Sequence, residues 1–141
     1  MSVSAYCVRH VVTARPEETV CMAAQRMVQQ DVGALVLMEG KRPVGMVTDR
    51  DLVTRVLATG NDPHTVALGT VMTTSLVCVS EDAALEEAVT RMCTAHIRRL
   101  VVVNDAGELV GLFALDDLLA LLGEYEAAMT TLLRVACQHW Q

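Results

Sequence analysis

Apolar residues form short continuous runs in some segments of this chain and recur at helical spacing in others, and the same order of segments occurs twice. In the second half, a short apolar run at residues 76–79 predicts a strand, and apolar runs at 100–103 and 109–114 predict two more. One face of an intervening helix is marked, at the i, i+3, i+4, i+7 and i+8 spacing, by Leu85, Ala88, Val89, Met92 and Cys93. Ser80, which acidic residues follow, is the expected N-cap of this helix. Residues 115–122 predict a closing helix.

The first half carries the same order of elements. A shift of 65 residues aligns Arg26 with Arg91, and after a one-residue insertion a shift of 66 aligns Asp51 with Asp117. The matching elements are a helix opened by residues 15–18, strands at 34–38 and 44–48, and a helix at 49–58. Two copies of a strand–helix–strand–strand–helix unit predict an α/β fold. The predicted divisions are copies at residues 8–60 and 73–122, a linker at 61–72 and a helical tail at 123–141.

Composition narrows the classes of function. Hydrophobic residues make up 52% of the 141 residues and the mean hydropathy is +0.38, so a sizeable core can form. A 3% aromatic content and a net charge of −6 disfavour a nucleic-acid partner, which needs stacking rings or a basic face. No run reaches the roughly 18 apolar residues of a membrane span, and the N-terminus lacks a secretory pattern. Five cysteines without a C-x-x-C pair suit a reducing compartment, so we expect a cytoplasmic protein.

Motifs for catalysis or metal binding are weak. The chain contains no G-x-S-x-G, H-E-x-x-H or G-x-G-x-x-G motif, so we expect no catalytic residues. The histidines share no metal-ligand spacing, so no metal site is assigned; they are His10, His64, His96 and His139. A metal or redox sensor built from cysteine and histidine residues stays open as an alternative, with Cys7 and Cys137 near the two ends of the chain.

One polar constellation lies where a strand meets a helix in the first copy. Gly45 permits a close backbone approach, Thr48 places a hydroxyl at the strand end, and Asp51 lies one turn into the helix. The Asp51 carboxylate can accept two hydrogen bonds from the vicinal diol of a ribose. The same residues also fit a structural role, in which Thr48 caps the helix and Asp51 complements its dipole.

Two adjacent arginines enter a strand of the second copy. Arg98 and Arg99 precede the apolar residues 100–103, a costly place for cations unless they snorkel or meet an anion. A phosphate suits the guanidinium fork, and a salt bridge to one of the 17 acidic residues is the alternative. The corresponding residues 31–34 of the first copy carry no cation.

Taken together, these motifs resemble a CBS domain pair, also called a Bateman module. The resemblance covers residues 8–122 and includes the G-h-h-T-x-x-D run at 45–51, the R-R-L-V-V-V run at 98–103 and the TGNDP linker. The pattern is similar to short stand-alone bacterial CBS-pair proteins, a group with hypoxia- or stress-response members. The resemblance implies two repeats packed about a pseudo-two-fold axis and a non-enzymatic regulatory role that requires no cofactor.

The resemblance also implies an adenosyl ligand such as AMP, ADP or ATP. In this family Asp51 would bind the ribose hydroxyls, Thr48 the ribose or phosphate, and Arg98 with Arg99 the phosphate. The remaining implied contacts are an adenine lining from Met46 and Val101 and a further donor from Arg50.

The second copy departs from the pattern. Asp117 is retained, but Ala114 replaces the hydroxyl residue and Asp116 adds a negative charge. We therefore expect nucleotide binding in the Asp51 cleft and weak binding in the Asp117 cleft. The resemblance further implies a homodimer that acts on a protein partner in trans. The alternative is a ligand-free CBS pair that serves as a dimerisation or interaction scaffold.

Overall fold

A computed structural model describes residues 1–122 of the chain. In the first half, β1, α1, β2, β3 and α2 span Thr13–Ala14, Val20–Gln30, Ala34–Glu39, Arg42–Thr48 and Asp49–Leu52. In the second half, β4, α3, β5, β6 and α4 span Cys78–Ser80, Leu85–Ala95, Arg99–Val103, Leu109–Ala114 and Leu115–Leu122. The predicted helical tail at 123–141 lies outside the described residues. No helix within residues 1–122 has the length and apolar character needed to cross a bilayer.

Two three-stranded sheets have the same topology. Their orders are β1-β2-β3 and β4-β5-β6, and in each the short first strand is parallel and the third antiparallel to the central one. The register of the antiparallel pair shifts between Leu37 and Met38, and again between Val102 and Val103. The α/β fold with a duplicated unit is therefore confirmed. The structure adds an irregularity that recurs at the equivalent position of the central strand in both sheets.

The helix starts differ from the prediction. Thr19 caps α1 by accepting a hydrogen bond from the Met22 amide, so the helix begins after residues 15–18 rather than at them. The expected N-cap role of Ser80 is wrong, because α3 begins at Leu85, and Ser80 Oγ instead accepts from the Asp82 amide in the preceding turn. A serine hydroxyl can accept a hydrogen bond from a nearby amide in a turn as well as from an amide at a helix start, and here the turn amide is its partner.

The helix after β3 is also irregular. The predicted helix at 49–58 is a four-residue α2 that continues as a π-helix over Val53–Leu57. Such π segments are rare and concentrate at functional sites. This one places Arg55 on the turn that follows Asp51.

The chain divides into two compact units that follow packing rather than sequence order. One unit is His10–Leu76, and the other combines Met1–Arg9 with the described residues from Val77 to Leu122. The predicted linker at 61–72 thus belongs to the first of these units. The core face of the His10–Leu76 sheet carries Leu35, Leu37 and Val47, and that of the other sheet carries Leu100, Val102 and Phe113. Strand alternation turns the intervening residues to the opposite face of each sheet.

Each unit is completed by the segment that precedes the other copy in sequence. The Leu68 amide donates to the Glu18 carbonyl at 2.8 Å, and 65 residues earlier the Val3 amide donates to the Ala83 carbonyl at 2.9 Å. Each donor is the first residue of a short 3-10 helix, which spans Leu68–Thr70 in one unit and Val3–Ala5 in the other. Each copy is therefore completed by the segment that precedes the other copy in the sequence, and we call these the exchanged segments.

The exchanged segments also close the open edges of β3 and β6. Thr73 and Met46 donate their amides to each other's carbonyls at 2.9 and 3.0 Å, and Val8 and Leu112 do the same at 2.9 Å each. Unpaired edge strands invite association with other chains, and each of these isolated bridges covers one position of such an edge.

At each of these two pairings the incoming segment crosses the edge strand, and we call this contact a crossing. Two equivalent glycines make room for the crossings. A Cβ added at Gly111 would lie 2.7 Å from the Val8 carbonyl oxygen and 2.8 Å from Cys7 Sγ. A Cβ at Gly45 would meet the Met72 thioether, with the Thr73 carbonyl oxygen at 3.2 Å. The close approach predicted at Gly45 is therefore made by the protein's own segment around Met72.

Substituting these glycines should destabilise the protein by different amounts. Gly111→Ala meets a backbone oxygen, which cannot move without breaking the Val8–Leu112 pairing, so we expect a loss of about 2–3 kcal/mol. Gly45→Ala meets a flexible side chain and should cost about 1 kcal/mol. Urea unfolding of both variants measures the difference, and an equal or reversed ranking contradicts this account of the crossing.

A partly buried ion pair holds an arginine in contact with the short strand β1. Arg26 on α1 contacts Glu18 through both terminal nitrogens, at 2.6 and 3.0 Å, and donates to the Thr13 carbonyl of β1 at 2.9 Å. Hydrogen bonding from Arg26 lowers the pKa of Glu18 below its ordinary value of 4.5. In the other unit Arg91 donates similarly to the Cys78 carbonyl, but its partner Glu87 is 48% exposed.

The Glu18 pair should make stability depend on pH. Its pKa is lower in the folded protein than in the unfolded chain, so the stabilisation is present above about pH 4.5 and fades as pH falls through the folded pKa. Glu18→Gln should cost about 1–2 kcal/mol at pH 7 and much less near pH 3. Glu87→Gln is the matched control, with an expected cost under about 0.5 kcal/mol. A cost for Glu18→Gln that is constant across the range would contradict the assignment.

Candidate functional site

The junction of β3 and α2 is held by a reciprocal pair of hydrogen bonds. Thr48 Oγ1 accepts from the Asp51 amide at 3.1 Å, and Asp51 Oδ2 accepts from the Thr48 amide at 2.9 Å. This is a capping box, which satisfies amides that a helix start otherwise leaves without partners. The structural role predicted for Thr48 is confirmed, and it fixes the position of the Asp51 carboxylate.

The second oxygen of Asp51 faces a cation that the sequence prediction did not include. Arg55 Nη2 lies 3.3 Å from Asp51 Oδ1, and the Asp51 side chain is 18% exposed. Arg55 Nη1 donates to the Val71 carbonyl at 2.7 Å and to Thr73 Oγ1 at 3.1 Å. The i, i+4 spacing from Asp51 is a visible signal for the ion pair. The link to Val71 and Thr73 is visible only in the tertiary structure.

Met46 and Arg50 lie on either side of this junction. Met46 pairs with Val36 across β2 and β3, on the sheet face opposite the core. Arg50 is exposed, and its amide donates to Asp49 Oδ1 at 2.8 Å. Met46, Thr48, Arg50 and Asp51 thus lie at the junction of β3 and α2, and their shared contact with a ligand stays a prediction.

Arg98, Arg99 and Val101 belong to the other unit. Arg99 begins β5 opposite Ala114, and the Arg98 carbonyl accepts from the Leu115 amide at 2.8 Å. Arg99 and Val101 share the sheet face opposite the core, where Val101 is 1% exposed. Within their own unit, and among residues 1–122, neither arginine side chain forms an ion pair. The alternative of a salt bridge to an acidic residue of the other unit stays open. Convergence of these residues with Asp51 on one ligand stays a prediction.

The equivalent junction of β6 and α4 is chemically poorer. Ala114 has no hydroxyl to cap α4, and Asp117 stands where Asp51 stands in the first copy. Leu121 occupies the position that corresponds to Arg55. The second copy thus keeps the carboxylate and loses both groups that hold it.

Cysteine chemistry gives little support to a redox site in the part of the chain that the structure describes. Burial raises the pKa of the Cys7 thiol and that of the Cys78 thiol, which keeps both protonated and weakly nucleophilic at neutral pH. The four cysteines of residues 1–122 are free thiols. No group of three or more His, Cys, Asp or Glu side chains in that range is placed to hold a metal ion.

Comparison with known sequences identifies the family. The chain belongs to the CBS domain family, whose profile matches residues 3–58 and 68–124, and the resemblance noted from the motifs is confirmed. The CBS domain-containing protein YhcV of Bacillus subtilis is 38% identical over 129 residues, 92% of this chain and 91% of that one. Hypoxic response protein 1 of Mycobacterium tuberculosis is 36% identical over 109 residues, 77% of this chain and 76% of that one. The protein MK0525 of Methanopyrus kandleri is 37% identical over 112 residues, 79% of this chain, but the match spans only 57% of that relative.

Two solved structures of similar fold carry bound groups. The CBS domain protein PAE2072 from Pyrobaculum aerophilum, complexed with AMP, has a TM-score of 0.78 and 28% identity, with coverage of 96% of this chain and 99% of that one. Hypoxic Response Protein I with two coordinated zinc ions has a TM-score of 0.76 and 30% identity, with coverage of 85% and 98%. The chain is thus a pair of CBS repeats similar to one protein solved with a nucleotide and to another solved with a metal.

The difference between the two helix starts can be tested by exchanging their capping residue. Thr48→Ala removes the side-chain acceptor of the capping box and should lower the free energy of unfolding by about 1 kcal/mol. Ala114→Thr supplies such an acceptor three residues before Asp117 and should raise the free energy of unfolding by about 0.5–1 kcal/mol. Urea unfolding measures both changes. A neutral Thr48→Ala or a destabilising Ala114→Thr would show that the caps are not equivalent.

Proposed function

We propose that the chain is a non-enzymatic regulatory module that binds an adenosine-containing ligand, with AMP, ADP and ATP as candidates. The observation that carries the proposal is the Asp51 carboxylate, which is held in place on both oxygens and retains capacity for more hydrogen bonds. The likeness to PAE2072, solved with AMP, supports the same ligand class.

The hydrogen-bond capacity of Asp51 fits a ribose. An ionised carboxylate offers about four acceptor sites, two on each oxygen. The Thr48 amide uses one on Oδ2, and Arg55 forms an ion pair with Oδ1 at 3.3 Å. At least one site is left on each oxygen, which is enough to accept from two adjacent hydroxyls. Thr48 adds a hydroxyl oxygen on the same junction.

The charged end of the ligand would be bound by arginine. Arg98 and Arg99 are proposed to contact the phosphate, because a guanidinium fork pairs well with phosphate oxygens and neither has an ionic partner within its own unit among residues 1–122. Arg50, exposed beside Asp51, is a further donor. Met46 and Val101 would line the adenine, since each lies on the sheet face opposite its core.

The two copies are proposed to bind unequally. The Asp117 site lacks the capping hydroxyl and the arginine that hold Asp51, and Asp116 places an additional negative charge beside it. An anionic ligand should therefore favour the Asp51 site, with the Asp117 site weak or empty.

Regulation would be exerted in trans. The proposal places the chain in the cytoplasm as a homodimer that acts on a protein partner, with no membrane or nucleic-acid role. Ligand binding changes a regulatory output only if it favours one conformation over another, so the signal is a shift in population. Relatives that include Hypoxic response protein 1 point to stress as the setting.

Titration calorimetry with AMP, ADP and ATP tests the binding. Asp51→Asn should weaken binding at least tenfold, because it removes a charged acceptor while leaving an oxygen for the helix cap. Asp117→Asn is the matched control and should change affinity less than twofold. Arg98→Gln with Arg99→Gln should weaken ATP more than adenosine. Equal binding by wild type and Asp51→Asn removes Asp51 from the site, and no binding by wild type rejects the ligand class.

Metal sensing is the second candidate. It is favoured by the likeness to Hypoxic Response Protein I, solved with two coordinated zinc ions. Elemental analysis of protein purified without a histidine tag separates the two functions. Stoichiometric zinc that survives dialysis supports this candidate, and its absence together with nucleotide binding rejects it.

A further inference from the structure

The Arg55 side chain joins two parts of the unit His10–Leu76 that are far apart in sequence. Its Nη2 faces Asp51 Oδ1 at 3.3 Å, while its Nη1 donates to the Val71 carbonyl at 2.7 Å and to Thr73 Oγ1 at 3.1 Å. The guanidinium group is planar and rigid, so a displacement at one nitrogen is carried to the other.

Residues 71–73 form the part of the exchanged segment that closes the edge of β3. Thr73 exchanges backbone hydrogen bonds with Met46, and the Met72 thioether packs against Gly45. The same segment leads along the chain into the second copy. Arg55 thus connects the Asp51 carboxylate to the point where the first unit is closed.

We propose that Arg55 is a positioning residue that couples Asp51 to residues 71–73. It orients the carboxylate for the ligand's hydroxyls, and it passes a change at Asp51 to the hydrogen bonds between Thr73 and Met46. The ligand part of this inference rests on the proposed function, whereas the connection from Asp51 through Arg55 to Thr73 exists without a ligand.

The geometry leaves room for such a change. Charged N–H···O hydrogen bonds shorten to about 2.7–2.9 Å when they are optimal, and the Arg55–Asp51 contact is longer than that. A ligand that donates to the free acceptor sites of Asp51 would change the position or orientation of the carboxylate. The second copy has leucine at position 121, the position that corresponds to Arg55, and leucine carries no hydrogen-bond donor, so the coupling is proposed for the first copy alone.

Hydrogen exchange followed by NMR tests the connection in ligand-free protein. Arg55→Gln and Asp51→Asn should each raise the exchange rates of the Thr73 and Met46 amides about tenfold, because each removes one end of the same link. The double variant should exchange no faster than Arg55→Gln alone. Additive effects in the double variant, or unchanged rates in either single variant, would overturn the coupling.

Matched controls and a conservative variant keep the test specific. Asp49→Asn removes an acidic group from the same helical turn, and Arg42→Gln removes an exposed cation from β3; both should leave the Thr73 rate within twofold of wild type. Arg55→Lys keeps the charge, but a single ammonium group does not bridge both partners as the fork does. It should fold like wild type and still show the faster exchange; wild-type exchange in Arg55→Lys would reject the bridging role.

AMP provides the ligand arm of the experiment. Saturating AMP should slow exchange at Thr73 in wild type, and Arg55→Lys should bind AMP about three- to tenfold more weakly without that slowing. Equal slowing in the variant at saturation overturns the inference while the proposed function stands. If wild type does not bind AMP, the proposed function fails and the ligand-free comparison alone decides the role of Arg55.

Discussion

The architecture depends on two backbone crossings. At each crossing, the segment that precedes one copy in the sequence pairs with the edge strand of the other copy. At each crossing a glycine leaves no Cβ, so backbone and side-chain atoms of residues 7–8 or 72–73 lie where that carbon would be. Reciprocal amide–carbonyl pairs at Thr73–Met46 and Val8–Leu112 then close the sheet edges. The unit His10–Leu76 is continuous in sequence, whereas the other unit needs Met1–Arg9 in addition to the chain that begins at Val77, so the second copy is not complete as a continuous stretch of sequence.

Duplication preserved this framework while the chemistry of the two helix starts diverged. The bulges, the crossings and the arginine that reaches the first strand of each sheet recur at equivalent positions. The groups that hold the conserved carboxylate do not, since Thr48 and Arg55 correspond to Ala114 and Leu121. A structural requirement acts on both copies, whereas a ligand that needs one well-positioned carboxylate requires only one of them to keep its polar partners.

The capping box and the proposed binding role of Asp51 support each other. A carboxylate that already satisfies a helix amide is fixed in direction, so a ligand does not bear the entropy of ordering it. Arg55 adds a second constraint and connects the site to the crossing at Thr73. The interactions that stabilise the first unit are therefore the same ones through which a bound ligand would act on it.

The repeat, the α/β class and most strand positions followed from the sequence, because hydrophobic periodicity and a 65-residue self-similarity are local or pairwise signals. The capping role of Thr48 was also predicted from the sequence, whereas the hydrogen bond from the Thr48 amide back to Asp51 was not, although both residues lie within four positions. The start of α3 was not, because Ser80 had a closer turn amide to bind. The exchange of segments, the reason for Gly45 and the contacts of Arg55 with Val71 and Thr73 were decided by tertiary structure. These contacts join residues far apart along the chain, and no local pattern specifies which distant backbone will fill the space a glycine leaves.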